Sequence, residues 1–403
     1  MRNDSDPAEH HVTPWRVVVV GVAGLAAAMG IGRFGFTPLL PLMQAEGALP
    51  LAAGAWLAAA NYAGHLAGAL ACMVFALSAR TTVRGGLVAV ALSTAGMGLV
   101  HSLAPWLLLR FIAGAAGALV LVGVSQWALV HLARAGRAQA AGGVYAGVGL
   151  GIVVAGLAGL EAALHARPAA TLWLLFGAAS AAAAAGVWSS LAAAPTGAAR
   201  TATIAVPRPR GSALVLVFAY GAFGYGYIIP ATFLPAMARE QFADPRVFGW
   251  VWPAFGVAAA VSTVVAARWL RRAPPRRVWI GCQLVMALGV AAPALALDLG
   301  HLMFAAVCIG GTFMVMTMAA MQEAQRLAGP AAGRLMAAMT AAFGLGQLVG
   351  PLSVSAATGT PGYALAVPSW VAAAVLVAGA AALGLQRATR THPIQPGGCT
   401  HER

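Results

Sequence analysis

Apolar runs long enough to cross a lipid bilayer recur a dozen times along this chain, and that recurrence constrains its fold more than any other feature. A hydrocarbon core of roughly 30 Å needs about 20 apolar residues per helix. Runs of that order lie at about 16–44, 50–78, 85–101, 105–130, 139–160 and 169–191, and again at about 212–237, 247–268, 278–296, 301–325, 335–357 and 363–386. In lipid a helix satisfies its backbone polar groups within its own segment. Composition agrees, because 61% of residues are hydrophobic and only 8% are charged. A soluble domain carries roughly 25% charge, so lipid must be the solvent for much of this surface. The expectation is an all-α membrane protein with twelve transmembrane helices.

Charge tests the layout. The 24 basic residues are all Arg and lie mostly in short gaps between apolar runs, which excludes the clustered basic face of a nucleic-acid binder despite a net charge of +14. With both termini on one side, nineteen fall on that side and three, Arg167, Arg239 and Arg246, on the other. The positive-inside rule makes the richer side cytoplasmic. The polar start, Met1 to Pro14, is unlike a cleavable signal peptide, so the first run is expected to insert uncleaved. A multi-pass protein of the inner (cytoplasmic) membrane follows. Its divisions are a tail over 1–15, a six-helix bundle over 16–191, a cytoplasmic linker over 192–211, a second bundle over 212–386 and a tail over 387–403.

The two groups of six echo each other. Gly30-Ile-Gly-Arg-Phe-Gly-Phe-Thr-Pro-Leu-Leu-Pro-Leu-Met43 aligns without gaps on Gly224-Tyr-Gly-Tyr-Ile-Ile-Pro-Ala-Thr-Phe-Leu-Pro-Ala-Met237, at an offset of 194 residues. Gly149-Leu-Gly151 matches Gly344-Leu-Gly346 at an offset of 195. Two matches at almost one offset indicate a duplicated six-helix unit, as in transporters built from parallel repeats about an axis along the membrane normal.

Polar residues inside the runs are the functional candidates. Arg33 lies eleven residues before Gln44 at the end of the first run, a depth of about 16 Å. An Arg there costs at least ~2.5 kcal/mol unless it meets a partner or a wet cavity. Asn61 has a similar depth in the second run, beside Tyr62, with His65 one turn further on the same face. Arg33, Asn61 and His65 therefore suggest a polar layer near the midplane, with His65 a candidate proton relay and the only His expected inside a run. Two readings of Arg33 compete: a substrate or proton-site cation, and a strut bonded to carbonyls freed by Pro38 and Pro41. The repeat places Tyr227 where Arg33 stands, with Tyr225 nearby, as candidate lining of the cavity. Pro38, Pro41, Pro230 and Pro235 predict bent or broken first and seventh helices. Arg110 lies near the outer end of the fourth run, where it either serves the pathway or snorkels to the interface. Glu323, beside Gln322, is either a protonatable coupling group or a gate residue paired with Arg326 or Arg334. Gln347, next to the repeated Gly-Leu-Gly, completes the pathway set.

No phosphate-cradling loop and no metal-ligand spacing is present, so no cofactor, metal or enzymatic activity is expected. The four cysteines, Cys72, Cys282, Cys308 and Cys399, are far apart and read as free thiols.

Five stretches together resemble the YbfB/YjiJ branch of the major facilitator superfamily. They are Gly30 to Pro41, Asn61-Tyr-Ala-Gly-His-Leu-Ala-Gly-Ala-Leu70, Gly224 to Pro235, Gly147-Val-Gly-Leu-Gly-Ile152 and Phe343-Gly-Leu-Gly-Gln-Leu-Val-Gly-Pro351, within a likeness spanning about 15–388. The resemblance implies two pseudo-symmetric six-helix bundles, the major facilitator fold, working by alternating access. Ser78-Ala-Arg-Thr-Thr-Val-Arg84 keeps the arginines of the family's first cytoplasmic motif and lacks its Asp. Arg110-x-x-x-Gly114 is similar to a fourth-helix motif of proton antiporters, although the 147–156 stretch has no Pro. The expected function is secondary transport of a small organic solute, coupled to protons in the export direction, by a monomer in the lipid bilayer. The alternatives are a non-transporting sensor or scaffold derived from a facilitator and, less favoured, a membrane-embedded enzyme.

Overall fold

The computed structural model describes residues 13–75, 78–191, 211–270, 272–328, 332–357 and 365–386. Residues 1–12 and 387–403 of the expected tails and nearly all of the 192–211 linker lie outside the described residues, as does Cys399. Twelve long helices follow in chain order: α1 (Pro14–Ala45), α2 (Leu51–Val74), α3 (Ala79–Met97), α4 (Leu103–Arg134), α5 (Ala141–Leu164), α6 (Ala169–Trp188), α7 (Gly211–Gln241), α8 (Val251–Trp269), α9 (Pro275–Leu295), α10 (Leu299–Ala328), α11 (Ala332–Ala357) and α12 (Ala366–Leu385). Ten of them are long and apolar enough to cross a membrane. The other two are α2, which carries Asn61 and His65, and α3, which begins with Arg80 and Arg84.

Edges move where local hydrogen bonding overrides hydropathy. The third run, read from 85, begins instead at Ala79, because the Ser78 side chain accepts from the Thr81 N–H and caps the helix. The fourth helix runs on to Arg134, so His131, read as a loop residue, sits in its last turn with Nδ1 2.8 Å from the Trp127 carbonyl.

Packing repeats with the sequence. Within the first six helices α2 packs on α4, α3 on α4 and α6, and α1 on α5; within the second six α8 packs on α10, α9 on α10 and α12, and α7 on α11. Each pairing maps onto its counterpart when six is added. The halves meet through α2 with α11, α5 with α8, and α1 with α7. The first two pairings exchange under the same operation and the third maps onto itself, as a pseudo-two-fold axis requires. The repeated glycines serve these contacts. A Cβ on Gly151 would overlap the backbone of Gly30 and Ala26 in α1, and one on Gly346 would overlap Gly221 and Tyr225 in α7.

Helix ends repeat as well. At the arginine-rich end Arg84 of α3 donates to the Trp188 carbonyl at the end of α6. Arg276 of α9 donates to the Leu383 carbonyl, and to Gln386 O at 2.9 Å, at the end of α12. Carbonyls at a helix C-terminus lack intrahelical donors and attract cations, so these arginines close helices in addition to marking a side.

The prolines act differently from expectation. α1 does break, but upstream of them: Ala26–Ile31 is π-helical, and regular helix resumes at Phe36 with Pro38 and Pro41 inside it. Through the break Gly32 N–H bonds Ala27 O and Phe34 N–H bonds Met29 O, five residues back, and Thr37 N–H bonds Phe34 O, three back. The carbonyls of Gly32 and Arg33 are thereby left to other donors. α7 stays one α-helix through Pro230 and Pro235. Pro235 still frees the carbonyl four residues back, and that oxygen, on Ala231, accepts from Thr37 Oγ1 of α1 at 2.9 Å across the two halves.

Candidate functional site

The break in α1 is filled by Arg110. Its Nη1 donates to Gly32 O and its Nη2 to Arg33 O, both at 3.0 Å, while the guanidinium lies 5.0 Å from the Phe36 ring centroid and 5.9 Å from that of Trp173. Arg110 is 2% exposed, so it does not snorkel. Hydrogen bonds from a charged donor are worth about 1.5–3 kcal/mol each, enough together to offset a midplane arginine. The strut expected at Arg33 is therefore Arg110, bound at Gly32 and Arg33 themselves.

Arg33 is 4% exposed, and its Nε and Nη2 have no hydrogen-bond partner. Aromatic faces surround it: the guanidinium carbon lies 4.9 Å from the Tyr62 ring centroid and 5.4 Å from that of Phe34, and Tyr227 is also near. Three ion pairs occur among the described residues, and neither Arg33 nor Arg110 is in any of them.

The polar layer around Arg33 forms in part. Asn61 is fully buried, but its Nδ2 donates to the Arg110 carbonyl at 3.0 Å, which ties α2 to α4. Gly114 of α4 fits under the Asn61 carbonyl, where a Cβ would overlap it. Both residues of the Arg110-x-x-x-Gly114 pattern are thus committed to packing. His65 is half-buried, within electrostatic reach of Arg33, and its Nδ1 has no partner. Tyr62 crosses to the other half. The Thr232 hydroxyl donates to Ile228 O at 2.7 Å, so the 2.8 Å contact between Tyr62 OH and Thr232 Oγ1 has Tyr62 as donor.

On the second half, Tyr227 is 2% exposed and accepts a hydrogen bond from Nε2 of the fully buried Gln347, whose Oε1 has no partner. Its ring stacks on Phe313 at 5.9 Å and on Phe343 at 5.6 Å. Phe313 in turn meets Phe34 at 6.3 Å and Phe255 at 5.7 Å. Tyr225 turns away from this cluster and donates to Ser353 Oγ of α11 at 3.3 Å. Gln322 and Glu323 are half-buried near the arginine-rich end of α10, far along the helix from Phe313, and no hydrogen bond or ion pair joins Glu323 to Arg326. The Arg334 side chain is outside the described residues.

The structure thus brings Arg33, Tyr62, His65, Tyr227 and Gln347 together, assigns Asn61 and Arg110 to support, and leaves Tyr225, Gln322 and Glu323 apart. Sequence reasoning missed Phe34, Phe313, Phe343 and Thr232. Thr232 carried a signal, since it adjoins Ala231, the repeat equivalent of Thr37.

Burial around this cluster is uneven. Residues 27–41 of α1 and 226–238 of α7 are buried without interruption. Toward the arginine-rich end, Thr317, Met321, Met336, Thr340 and Phe343 of α10 and α11 are half-exposed.

Two solved structures share this architecture. A D-xylose-proton symporter superposes with a TM-score of 0.74 at 14% identity, covering 91% of this chain and 96% of its own. The nucleoside transporter NupG, in a mutant form, superposes with a TM-score of 0.68 at 15% identity, covering 91% and 99%. No curated protein matches the sequence. The family model described as "Uncharacterised MFS-type transporter YbfB" matches residues 25–383, nearly the whole helical body, and the chain belongs to that family of major facilitator transporters.

Proposed function

We propose that this protein is a proton-coupled secondary transporter of a small organic solute. It works by alternating access about the α1–α7 axis, with Arg33 at the binding site and His65 as the proton-carrying group. The observation that supports this reading is the Arg33 guanidinium, enclosed between the two halves with two N–H groups unpartnered. A charge held this way at midplane is expensive unless function requires it. His65 faces Arg33 from α2 and Gly114 from α4, with no carboxylate at hand, so its proton affinity follows whatever neutralises Arg33. The arginine-rich end is cytoplasmic in this proposal, by the positive-inside rule. The half-exposed positions on α10 and α11 then face the cytoplasm, and the seam of Thr37, Ala231, Tyr62 and Thr232 closes the opposite side. The protein is taken to act as a monomer in the inner membrane, with 16–191 and 212–386 as the moving bundles.

Export follows from the antiporter likeness of Arg110-x-x-x-Gly114, and both residues have packing roles that account for them. Flux therefore assigns direction. Proteoliposomes with a trapped pH dye are challenged with organic anions, amino acids, sugars and cationic drugs. A solute-driven pH change absent from His65→Ala and from protein-free vesicles is the expected result. Protons moving with the solute identify cotransport, and protons moving against it identify exchange. Solute flux with full pH coupling in His65→Ala removes His65 from the mechanism.

A further inference from the structure

The two unpartnered nitrogens of Arg33, Nε and Nη2, lie on one edge of the guanidinium. That edge presents two parallel N–H bonds spaced to meet the two oxygens of a carboxylate. Arg110 uses its Nη1 and Nη2 on carbonyls, so of these two arginines it is Arg33 that keeps a bidentate edge free. Charge points the same way. Arg33 and Arg110 put two cations at midplane depth, and none of the described acidic residues reaches either of them. Glu46 accepts from the Ala169 N–H, Glu161 pairs with Arg167, Glu240 is exposed at the end of α7, Asp244 and Asp298 cap helix starts, and Glu323 lies toward the end of α10. Among the described residues no carboxylate supplies the counter-charge.

The side chains around Arg33 describe the body of the ligand. Phe34 and Tyr62 present aromatic faces to the guanidinium, and Phe313 and Tyr227 continue the aromatic wall beyond Phe34. Flat ring systems pack well on such faces. The Gln347 Oε1, buried and unpartnered beside Tyr227, is an acceptor awaiting a donor. We propose, resting on the transporter reading above, that Arg33 is the carboxylate receptor for a flat aromatic monocarboxylate whose ring bears a hydroxyl or N–H that donates to Gln347.

The test uses purified full-length protein in nanodiscs. Binding of 4-hydroxybenzoate, benzoate and the neutral 4-hydroxybenzamide is measured by titration calorimetry, and flux of each in proteoliposomes. The order expected is 4-hydroxybenzoate tightest, benzoate about 10-fold weaker for the lost donor, and 4-hydroxybenzamide about 100-fold weaker for the lost charge. Arg33→Gln is expected to abolish the preference for acid over amide. Arg33→Lys retains part of it, since the charge stays and the fork does not. Gln347→Leu is expected to bind both acids equally. Because Nε and Nη2 of Arg33 have no partner and its remaining polar contact is with the Tyr227 hydroxyl, Arg33→Gln should fold, and its melting curve checks this. Equal affinity for acid and amide in the unaltered protein overturns the proposal, as does an acid preference that survives Arg33→Gln. Flux of another solute class with no aromatic acid bound removes the substrate assignment and leaves the transporter reading. Acid binding with Arg33-dependent preference and no flux keeps the receptor and removes the transporter reading.

Discussion

Two arginines buried within the helical body divide their work by what their N–H groups meet. Arg110 spends Nη1 and Nη2 on carbonyls that the break in α1 leaves open, and Arg33 spends neither Nε nor Nη2. Thermal melts in detergent should separate them. Arg110→Ala leaves the Gly32 and Arg33 carbonyls buried without donors, a loss of about 1–3 kcal/mol for each. Arg110→Lys keeps the charge but not the fork, and should recover less than half of that. Arg33→Gln removes an unpartnered charge, and the melting temperature should hold or rise. Arg33 stood out in the sequence because depth can be counted along a run, whereas the same count put Arg110 near the outer end of the fourth. Their roles could not be read there. Which carbonyls lie open depends on a π-helical stretch at Ala26–Ile31 that no residue type in it announces, and the partner supplying the strut comes from a helix about 77 residues away. Asn61 is the parallel case, placed at the right depth and turned toward α4.

At the scale of elements, helix existence was legible because lipid leaves a twenty-residue apolar run little alternative to a helix. Edges were less so, since Ser78 and the closing arginines Arg84 and Arg276 act through single hydrogen bonds that hydropathy does not register. Proline leaves α7 unbroken for a definite reason. A helix loses one bond at Pro235 and remains a helix when a neighbour supplies the donor, as Thr37 does. Close helix approach makes a paired prediction. Gly151→Ala and Gly346→Ala should each destabilise by about 1–3 kcal/mol, because the added carbon meets backbone that cannot yield. Gly281→Ala, with open space around it, should be neutral or stabilising by up to about 1 kcal/mol. Melting curves of the three variants check the contrast. The seam between the halves makes another. Tyr62→Phe removes a buried cross-half donor worth about 1 kcal/mol, so labelling of a Leu40→Cys reporter, with the native cysteines replaced by Ser, should quicken roughly 5-fold.

For the whole molecule, the repeat offset has a geometric meaning. A residue on a two-fold axis meets its own equivalent, and Thr37 and Ala231, which meet across the halves, are 194 positions apart, the offset of the aligned repeat. Arg33 and Tyr227 are separated by the same offset and also lie near each other. The axis was thus present in the sequence, in the spacing of two motifs, though the atoms lining it were not. If α1 and α7 part there during transport, a thiol crosslink between Thr37→Cys and Ala231→Cys should stop solute flux, and reductant should restore it. Flux unaffected by complete crosslinking would move the opening to another pair of helices.

The Ala231 carbonyl carries one more implication. Because Pro235 has already withdrawn its helical donor, breaking the Thr37 contact takes nothing from α7 itself. Water entering between parted helices can bind that oxygen and the Thr37 hydroxyl about as well as they bind each other. The same holds for the hydroxyls of Tyr62 and Thr232. Closure at this end is fastened by groups nearly indifferent to whether protein or water answers them, so the balance between the closed and parted arrangements should be shallow, and a ligand of modest affinity could tip it.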